Sequence, residues 1–303
     1  LPMMIKAGHN KSSSAGLIAA CGVIGPIIPP SIGFVIFGVA ANVSISKLFI
    51  AGIFPGVVLA AGLWITWWWM IRKERIAPPE RKTFADVMLA TREATWALVL
   101  PFIILFGLKF GIFTPTEAAV IAAVYAFLVA TFVYKELNLK QLVKIFADAA
   151  KTTGVVMFLV AAAMVSAWMI TVAQLPDQVV DLLKPFMENK TMLMLAIMLL
   201  CMVVGTAMDM TPTILILTPV LMPIIKAAGI DPVYFGVLFI INNSIGLITP
   251  PVGTVLNTVA GVGKVSMDEV TKGVMPFMVA QFLVMFLMVL FPEIVMVPLK
   301  WFY

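Results

Sequence analysis

GTAMDMTPTILILTPVLMPIIKAAG (residues 205–229) runs directly into IDPVYFGVLFIINNSIGLITPPVG (residues 230–253). Each half sets Gly, Pro, Thr, Asn or Asp inside an otherwise apolar segment. In water those residues mark ordinary turns. In a bilayer they are costly, because an interrupted helix frees backbone N–H and C=O groups that lipid cannot satisfy. Irregular backbone at that depth persists only where protein buries it or where it lines a polar cavity. Two adjacent interruptions therefore point to one site, made of helix ends and freed carbonyls.

Composition puts the chain in a membrane. It is 62% hydrophobic and 12% charged, with a mean hydropathy of +1.09, where soluble domains carry about 25% charged residues. Several segments reach the roughly 20 apolar residues that a span needs. The net charge of +5 is read through loops, because Lys and Arg collect on the cytoplasmic side. No basic face exists outside those loops, so a nucleic-acid partner is not expected. Cys21 and Cys201 both lie in apolar runs and indicate neither a disulfide nor a metal site. No signal peptide is visible. The chain opens on Leu1 rather than Met, which reads as a piece of a longer protein.

Outward from the central stretch, residues 12–42 form a long apolar passage broken at GPIIPPS (25–31), and 48–71 form a span with Trp64, Trp67, Trp68 and Trp69. Residues 72–93 are the most charged stretch. Its second half, like the basic segment 137–150, has amphipathic spacing and predicts a helix lying on the membrane surface. Residues 96–112 and 114–133 read as a transmembrane hairpin around FTPTE, 152–175 as another span, and 273–298 as the last. With the basic loops cytoplasmic, parity sends 12–42 outward and 231–262 inward. At 191–226 parity leaves open a re-entrant hairpin or two full crossings. The 14 residues 191–204 measure about 21 Å at 1.5 Å per residue, short of a core about 30 Å thick, which favours the hairpin.

An internal repeat sits beside this topology. At a shift of 221 residues Pro2 falls on Pro223, Gly8 on Gly229, Gly25 on Gly246, and Pro29-Pro30 on Pro250-Pro251. After one inserted residue Val43-Ser44 matches Val265-Ser266, and Gly52 and Pro55 return to the first shift at Gly273 and Pro276. One copy crosses outward and the other inward, so the repeat is inverted. Inverted repeats with broken helices at matching places mark secondary transporters with a midplane binding site.

Three motifs, GPIIPPSIGFVIFGVAANVSISKLFIAGIFPG, IFTPTEAAVIAAVYAFLV and GLITPPVGT followed by VSMDEVTKGVMPF, resemble the large membrane subunit of TRAP (tripartite ATP-independent periplasmic) transporters over essentially the whole chain. The resemblance implies an all-α polytopic protein of the bacterial inner membrane, built as an elevator-type transporter with re-entrant hairpins. It implies sodium-driven import of a carboxylate-bearing solute such as a sugar acid, sialic acid or dicarboxylate. A periplasmic substrate-binding protein would deliver the solute and a small membrane subunit would brace the scaffold. The expected organisation is a first transport repeat at 1–47, beginning in the returning limb of a first hairpin, and scaffold spans with arm helices at 48–151. A connecting span and periplasmic loop follow at 152–190, then a second transport repeat at 191–272 and a final span at 273–303.

The resemblance also implies Na⁺ sites made largely from backbone carbonyls at the breaks. In the first copy the ligands would be Gly25, Ile28 and Pro30. In the second they would be Gly246, Thr249 and Val252, with Gly205 from the hairpin tip, and Thr249 adds a hydroxyl that Ile28 lacks. Thr206, Asp209, Thr211, Thr213, Asn242, Asn243 and Ser244 are the substrate-binding candidates, because a polar side chain in a span is a functional hypothesis by default. Asn and Ser also join helices, Asp209 also suits a helix cap, and Glu117 suits a helix N-terminus better than a proton carrier. His9 reads as a solvated residue of a basic turn. A lone His and the absence of a metal-ligand cluster, nucleophile elbow or phosphate loop argue against an enzyme. The alternative is a divalent-anion/sodium symporter of related architecture working without a binding protein.

Overall fold

A computed structural model of the protein describes residues 1–72, 83–173, 186 and 188–301. Most of the basic loop after residue 72 and most of the mixed-charge loop before residue 190 lie outside the described residues. Seven described helices are long and apolar enough to cross a membrane, and three shorter apolar ones accompany them. The chain divides into two compact units, residues 1–78 with 165–303 and residues 79–164.

The first unit holds both breaks. Helix α1 (Pro2–Lys6) leads into α2 (Lys11–Gly22), which stops at the first break, and α3 (Ile32–Ala41) and α4 (Ile45–Ile71) follow. In the second copy α8 (Lys190–Ala207) and α9 (Met210–Ala227) form the hairpin. Then α10 (Pro232–Gly246) stops at the second break, and α11 (Thr254–Gly263), α12 (Met267–Leu290) and α13 (Glu293–Lys300) complete the unit. The span at 48–71 belongs to this unit, since α4 packs on α2, α3, α10 and α12.

The repeat is written in the backbone. Asn10 caps α2 and Asp231 caps α10, each by accepting N–H groups of the first turn. Gly8 and Gly229 both have positive φ, and Pro29-Pro30 and Pro250-Pro251 are both cis. Asn42 and Lys264 are left-handed C-caps, and Ser44 and Ser266 are N-caps of the helices that follow. The inserted residue falls inside the second break: α3 starts two residues after Pro30 but α11 three after Pro251, and Gly253 takes the extra place at φ +46°.

Contact registers give the direction of each copy. Ser12 Oγ donates to Glu269 O (2.5 Å), Gly16 abuts Gly273, and Gln281 Nε2 donates to Ala20 O (3.0 Å). Residue numbers rise together along this contact, so α2 and α12 run parallel. Tyr234 Oη, by contrast, donates to Met288 O (3.0 Å) while Thr249 Oγ1 lies 3.6 Å from Met278 Sδ. Those numbers run in opposition, so α10 is antiparallel to α12. The two equivalent helices α2 and α10 therefore point in opposite directions, and the repeat is inverted.

Lipid supplies no hydrophobic drive between helices, so packing decides which ones associate. Ser12, Gly16 and Ala20 recur every fourth residue and give α2 a small-residue face. A Cβ on Gly16 would stand 2.1 Å from the Gly273 carbonyl, and one on Gly273 would stand 1.9 Å from Ser12 O. Elsewhere a ring fills the space: Phe37 lies over Gly236 and pairs with Phe235 and Phe239 at 6.0 and 5.9 Å. Such pairs add about 0.5–1.5 kcal/mol each beyond contact area.

The hairpin limb α8 is a turn longer than the sequence predicts, 18 residues or about 27 Å, so length alone no longer separates a hairpin from two crossings. Depth does. Lys190 Nζ donates to Gly229 O, just before α10 begins, and Gly205 meets Gly246 where α10 ends. The tip of α8 thus lies level with the break, with the whole of α11 still to come, and the segment is re-entrant.

The second unit contains α5 (Phe84–Lys109), α6 (Pro115–Leu128) with a π turn at Val129–Val133, and most of α7 (Leu139–Val172). Thr114 and Glu117 form a reciprocal cap on α6, the helix-terminal role read for Glu117. Tyr125 and Tyr134 hydroxyls donate to the carbonyls of Trp96 and Glu93 on α5. The sequence predicts surface arm helices separate from the spans after them, but α5 and α7 each run through both as one helix. The change from polar to apolar near residues 95 and 151 alters the environment without removing a backbone hydrogen bond. Gly154 costs a helix only about 1 kcal/mol. The other correction is His9, which packs on Trp67 with ring centroids 5.1 Å apart and is half-buried rather than solvated.

Backbone-to-backbone contact between α2 and α12 predicts that Gly273→Ala destabilises the protein by about 2 kcal/mol or more. Gly154→Ala, with nothing within 4 Å, should leave it unchanged or slightly stabilised. Thermal melting of the purified variants measures the difference.

Candidate functional site

Two helices end at the same point. The last turn of α8 and the last turn of α10 meet at Gly205 and Gly246, where a Cβ on Gly246 would stand 3.0 Å from the Gly205 backbone. Register shows that these helices are parallel, because Asn242 Nδ2 donates to Met198 O (2.6 Å) seven residues before Gly205. Both therefore present C-terminal carbonyls, the negative ends of their dipoles, to one place. On the other side of the hairpin tip, the first turns of α9 and α3 meet through Met210 Sδ and Gly33, 3.3 Å from where a Cβ would be. Positive helix ends thus converge beside negative ones.

The side chains of this region have committed their protons locally. Ser244 Oγ donates to Ile240 O (2.7 Å) and Thr249 Oγ1 to Ile245 O (2.9 Å), each one turn back on α10. Asn243 Nδ2 donates to Phe239 O (2.9 Å). Thr206 Oγ1 donates to Val203 O (2.7 Å) and Thr213 Oγ1 to Asp209 O (2.8 Å). A hydroxyl or amide used in this way turns lone pairs outward. The end of α10 is consequently an acceptor surface. Its accepting oxygens fit a hard cation, and the fit is sharpened by Asn242 and Asn243, whose Oδ1 atoms are buried without a hydrogen-bond partner. A solute carboxylate needs donors, and here the Asn242 amide and the Ser244 hydroxyl are already committed while Asn243 keeps one N–H.

The expected residues do not all fall in one place. Gly205, Gly246 and Asn243 come together where α8 meets the end of α10, and Asn242 bonds Met198 on α8, whereas Ser244 faces Met210 Sδ on α9 (4.0 Å) and Thr249 faces Met278 Sδ on α12 (3.6 Å). Val252 is separate: it is 42% exposed and its carbonyl accepts from Asn257 Nδ2 (3.0 Å). Asp209 caps α9 by accepting from Met210 N (2.9 Å), and Thr211 lies half-buried in the first turn. Gly25, Ile28 and Pro30 form the first break, where all three are exposed and Ile28 packs over Gly56. Sequence reading passed over Gln281, which is 1% exposed and binds Ala20 O two residues before α2 ends. It is the one amide in the apolar run 274–290, a signal of the kind that singled out Asn242 and Asn243.

Residues 1–294 match the family described as tripartite ATP-independent periplasmic transporter, DctM component. The chain belongs to this family. A putative TRAP transporter large permease of Haemophilus influenzae (strain ATCC 51907 / DSM 11121 / KW20 / Rd) is 53% identical over 99% of the chain and 71% of its own length. The 2,3-diketo-L-gulonate TRAP transporter large permease of Escherichia coli (strain K12) is 50% identical over the same shares. The sialic acid TRAP transporter large permease of Vibrio cholerae serotype O1 (strain ATCC 39315 / El Tor Inaba N16961) is 36% identical over 96% of the chain and 68% of its length. Family membership and the seven apolar helices make the TRAP permease chain a multi-pass protein of the bacterial inner membrane.

The two glycines of the TRAP permease site are not equivalent. A Cβ on Gly205 would meet Gly246 at 3.5 Å, an ordinary contact, whereas one on Gly246 needs the hairpin tip to give way. Gly246→Ala is expected to slow uptake in proteoliposomes about tenfold or more while Gly205→Ala keeps most of it. Equal rates would show that this contact does not govern the site.

Proposed function

We propose that this chain is the membrane-embedded transport subunit of a sodium-coupled importer of organic anions. The solute would be carboxylate-bearing: a sugar acid, a sialic acid or a dicarboxylate, delivered by a periplasmic substrate-binding protein. A small membrane subunit would complete the assembly. The single observation that carries the coupling is the meeting of two helix C-termini at Gly205 and Gly246, next to the buried, unpartnered Oδ1 of Asn243. Bound there, Na⁺ supplies the positive charge that those carbonyls lack. The positive first turns of α9 and α3, which meet at Met210 and Gly33, suit an anionic solute. Cation and anion would thus be held by opposite ends of the same hairpin tip, each improving the field felt by the other. The names of two relatives, for 2,3-diketo-L-gulonate and sialic acid, support an acidic solute and leave its identity to the delivery protein.

An elevator movement is the form of alternating access that this packing favours. Between α2 and α12 the backbones meet at Gly16 and Gly273 and Ser12 and Gln281 bond across the contact, so both breaks and the hairpin would travel as one body. The Thr249 hydroxyl, with its proton on Ile245 O, would offer lone pairs to the cation.

Uptake in proteoliposomes should require Na⁺, and Thr249→Val should raise the Na⁺ concentration for half-maximal uptake several-fold, by about 1 kcal/mol of lost interaction. Equal uptake in K⁺ without Na⁺ would remove the sodium assignment.

For the elevator, a covalent cross-link joining the unit of residues 1–78 and 165–303 to that of residues 79–164 should stop uptake and leave Na⁺ binding intact. Uptake at the normal rate through such a cross-link would exclude the movement.

A further inference from the structure

Asn243 is 1% exposed, and its two polar atoms have opposite fates. Nδ2 donates to Phe239 O at 2.9 Å, a partner that only accepts, so the orientation of the amide is fixed by the chemistry of that bond. Oδ1 is then left buried without a hydrogen-bond partner. It lies 3.8 Å from the position a Gly205 Cβ would occupy and so faces the last turn of α8. A buried acceptor left unpaired costs about 1–3 kcal/mol. Here it faces more acceptors rather than donors, since the C-terminal carbonyls of α8 are those without partners along their own helix.

Three sources of negative partial charge thus converge: the end of α8, the end of α10 and the Asn243 carboxamide oxygen. A cation resolves such an arrangement, and an anion worsens it. Resting on the sodium-coupled reading above, we infer that Asn243 Oδ1 is a side-chain ligand for the coupling cation and not a contact for the solute. Asn242 positions it. The neighbouring amide bonds Met198 O at 2.6 Å and ties α10 to α8 one to two turns before the two ends meet. In the first copy the equivalent of Asn243, at the shift of 221, is Gly22. The side-chain oxygen therefore belongs to one break alone, and the two breaks differ in cation affinity.

The test is Na⁺-dependent thermal stabilisation of the purified protein without solute or binding protein. NaCl is titrated against KCl at constant ionic strength, since a ligand that binds only the folded state raises its melting temperature with concentration. Wild type should be stabilised by Na⁺ in preference to K⁺. Asn243→Leu should raise the half-stabilising Na⁺ concentration about tenfold or more, and Asn243→Asp should lower it, because a carboxylate replaces a neutral oxygen. An Asn243→Leu protein that folds and titrates like wild type would overturn the inference and leave the sodium reading standing. If Asn243→Leu does not fold, Asn243→Asp decides, and a midpoint equal to wild type overturns it. No stabilisation of wild type by Na⁺ over K⁺ would remove both, with the buried oxygen then satisfied by water.

Discussion

A peptide group freed from its helix inside a bilayer has only protein to bond to, and this constraint shapes the first unit. At the second break the chain keeps its polar groups occupied with tight local bonds: Ile248 N to Ile245 O, Thr249 N to Gly246 O, and Val255 N back to Leu247 O. The first break repeats the pattern with Ile27 N and Ile28 N on Ile24 O, and the Ser31 hydroxyl donates to Pro26 O. What local bonding leaves over must be met from outside the break. At the second one α8 lies along α10, brings Gly205 against Gly246 and accepts from Asn242 Nδ2 at Met198 O. All residues of α10 from Val233 to Gly246 are buried, which is what enclosing an interrupted helix in lipid requires.

The copies share a backbone plan and differ in how they fill space. Where α2 meets α12 the helices touch through Gly16 and Gly273. At the shift of 221 the matching residues are Val237 and Gly52, and Gly52 faces the ring of Phe34. The polar groups have diverged as well: Cys21, Gly22, Val23 and Ile28 stand where the second copy has Asn242, Asn243, Ser244 and Thr249. At these four positions the polar side chains belong to the second copy alone.

Much of this was legible in the sequence because turn-forming residues in apolar segments and a repeat at fixed spacing are local signals. Gly8 and Gly229, the paired prolines and the capping residues each report a backbone requirement at one position. Direction was also readable, since loop charge sets orientation. Helix continuity was not: polarity changes sharply near residues 95 and 151, and charge says nothing about whether the i to i−4 bonds continue. At the site, sequence identified Asn242, Asn243 and Ser244 as unusual but not which of their atoms were spoken for. That depends on Met198, Phe239 and Ile240 carbonyls brought close by folding. Asp209 took the helix cap that its spacing allowed, and His9 found Trp67 through a contact between α4 and the turn before α2.

The opposed directions of α2 and α10 have an electrical consequence. Each helix carries a dipole along its axis, and the passages 11–41 and 232–263 have nearly the same make-up running opposite ways. The pairs α4 and α12 are opposed in the same sense. At short range, helix ends still present strong local fields to the gap between the breaks. Across the thickness of the bilayer the backbone contributions cancel. A membrane potential does about 2.3 kcal/mol of work per elementary charge per 100 mV, and it finds little to act on in the helices. A voltage response would therefore have to come from charged side chains or from charge bound between the breaks.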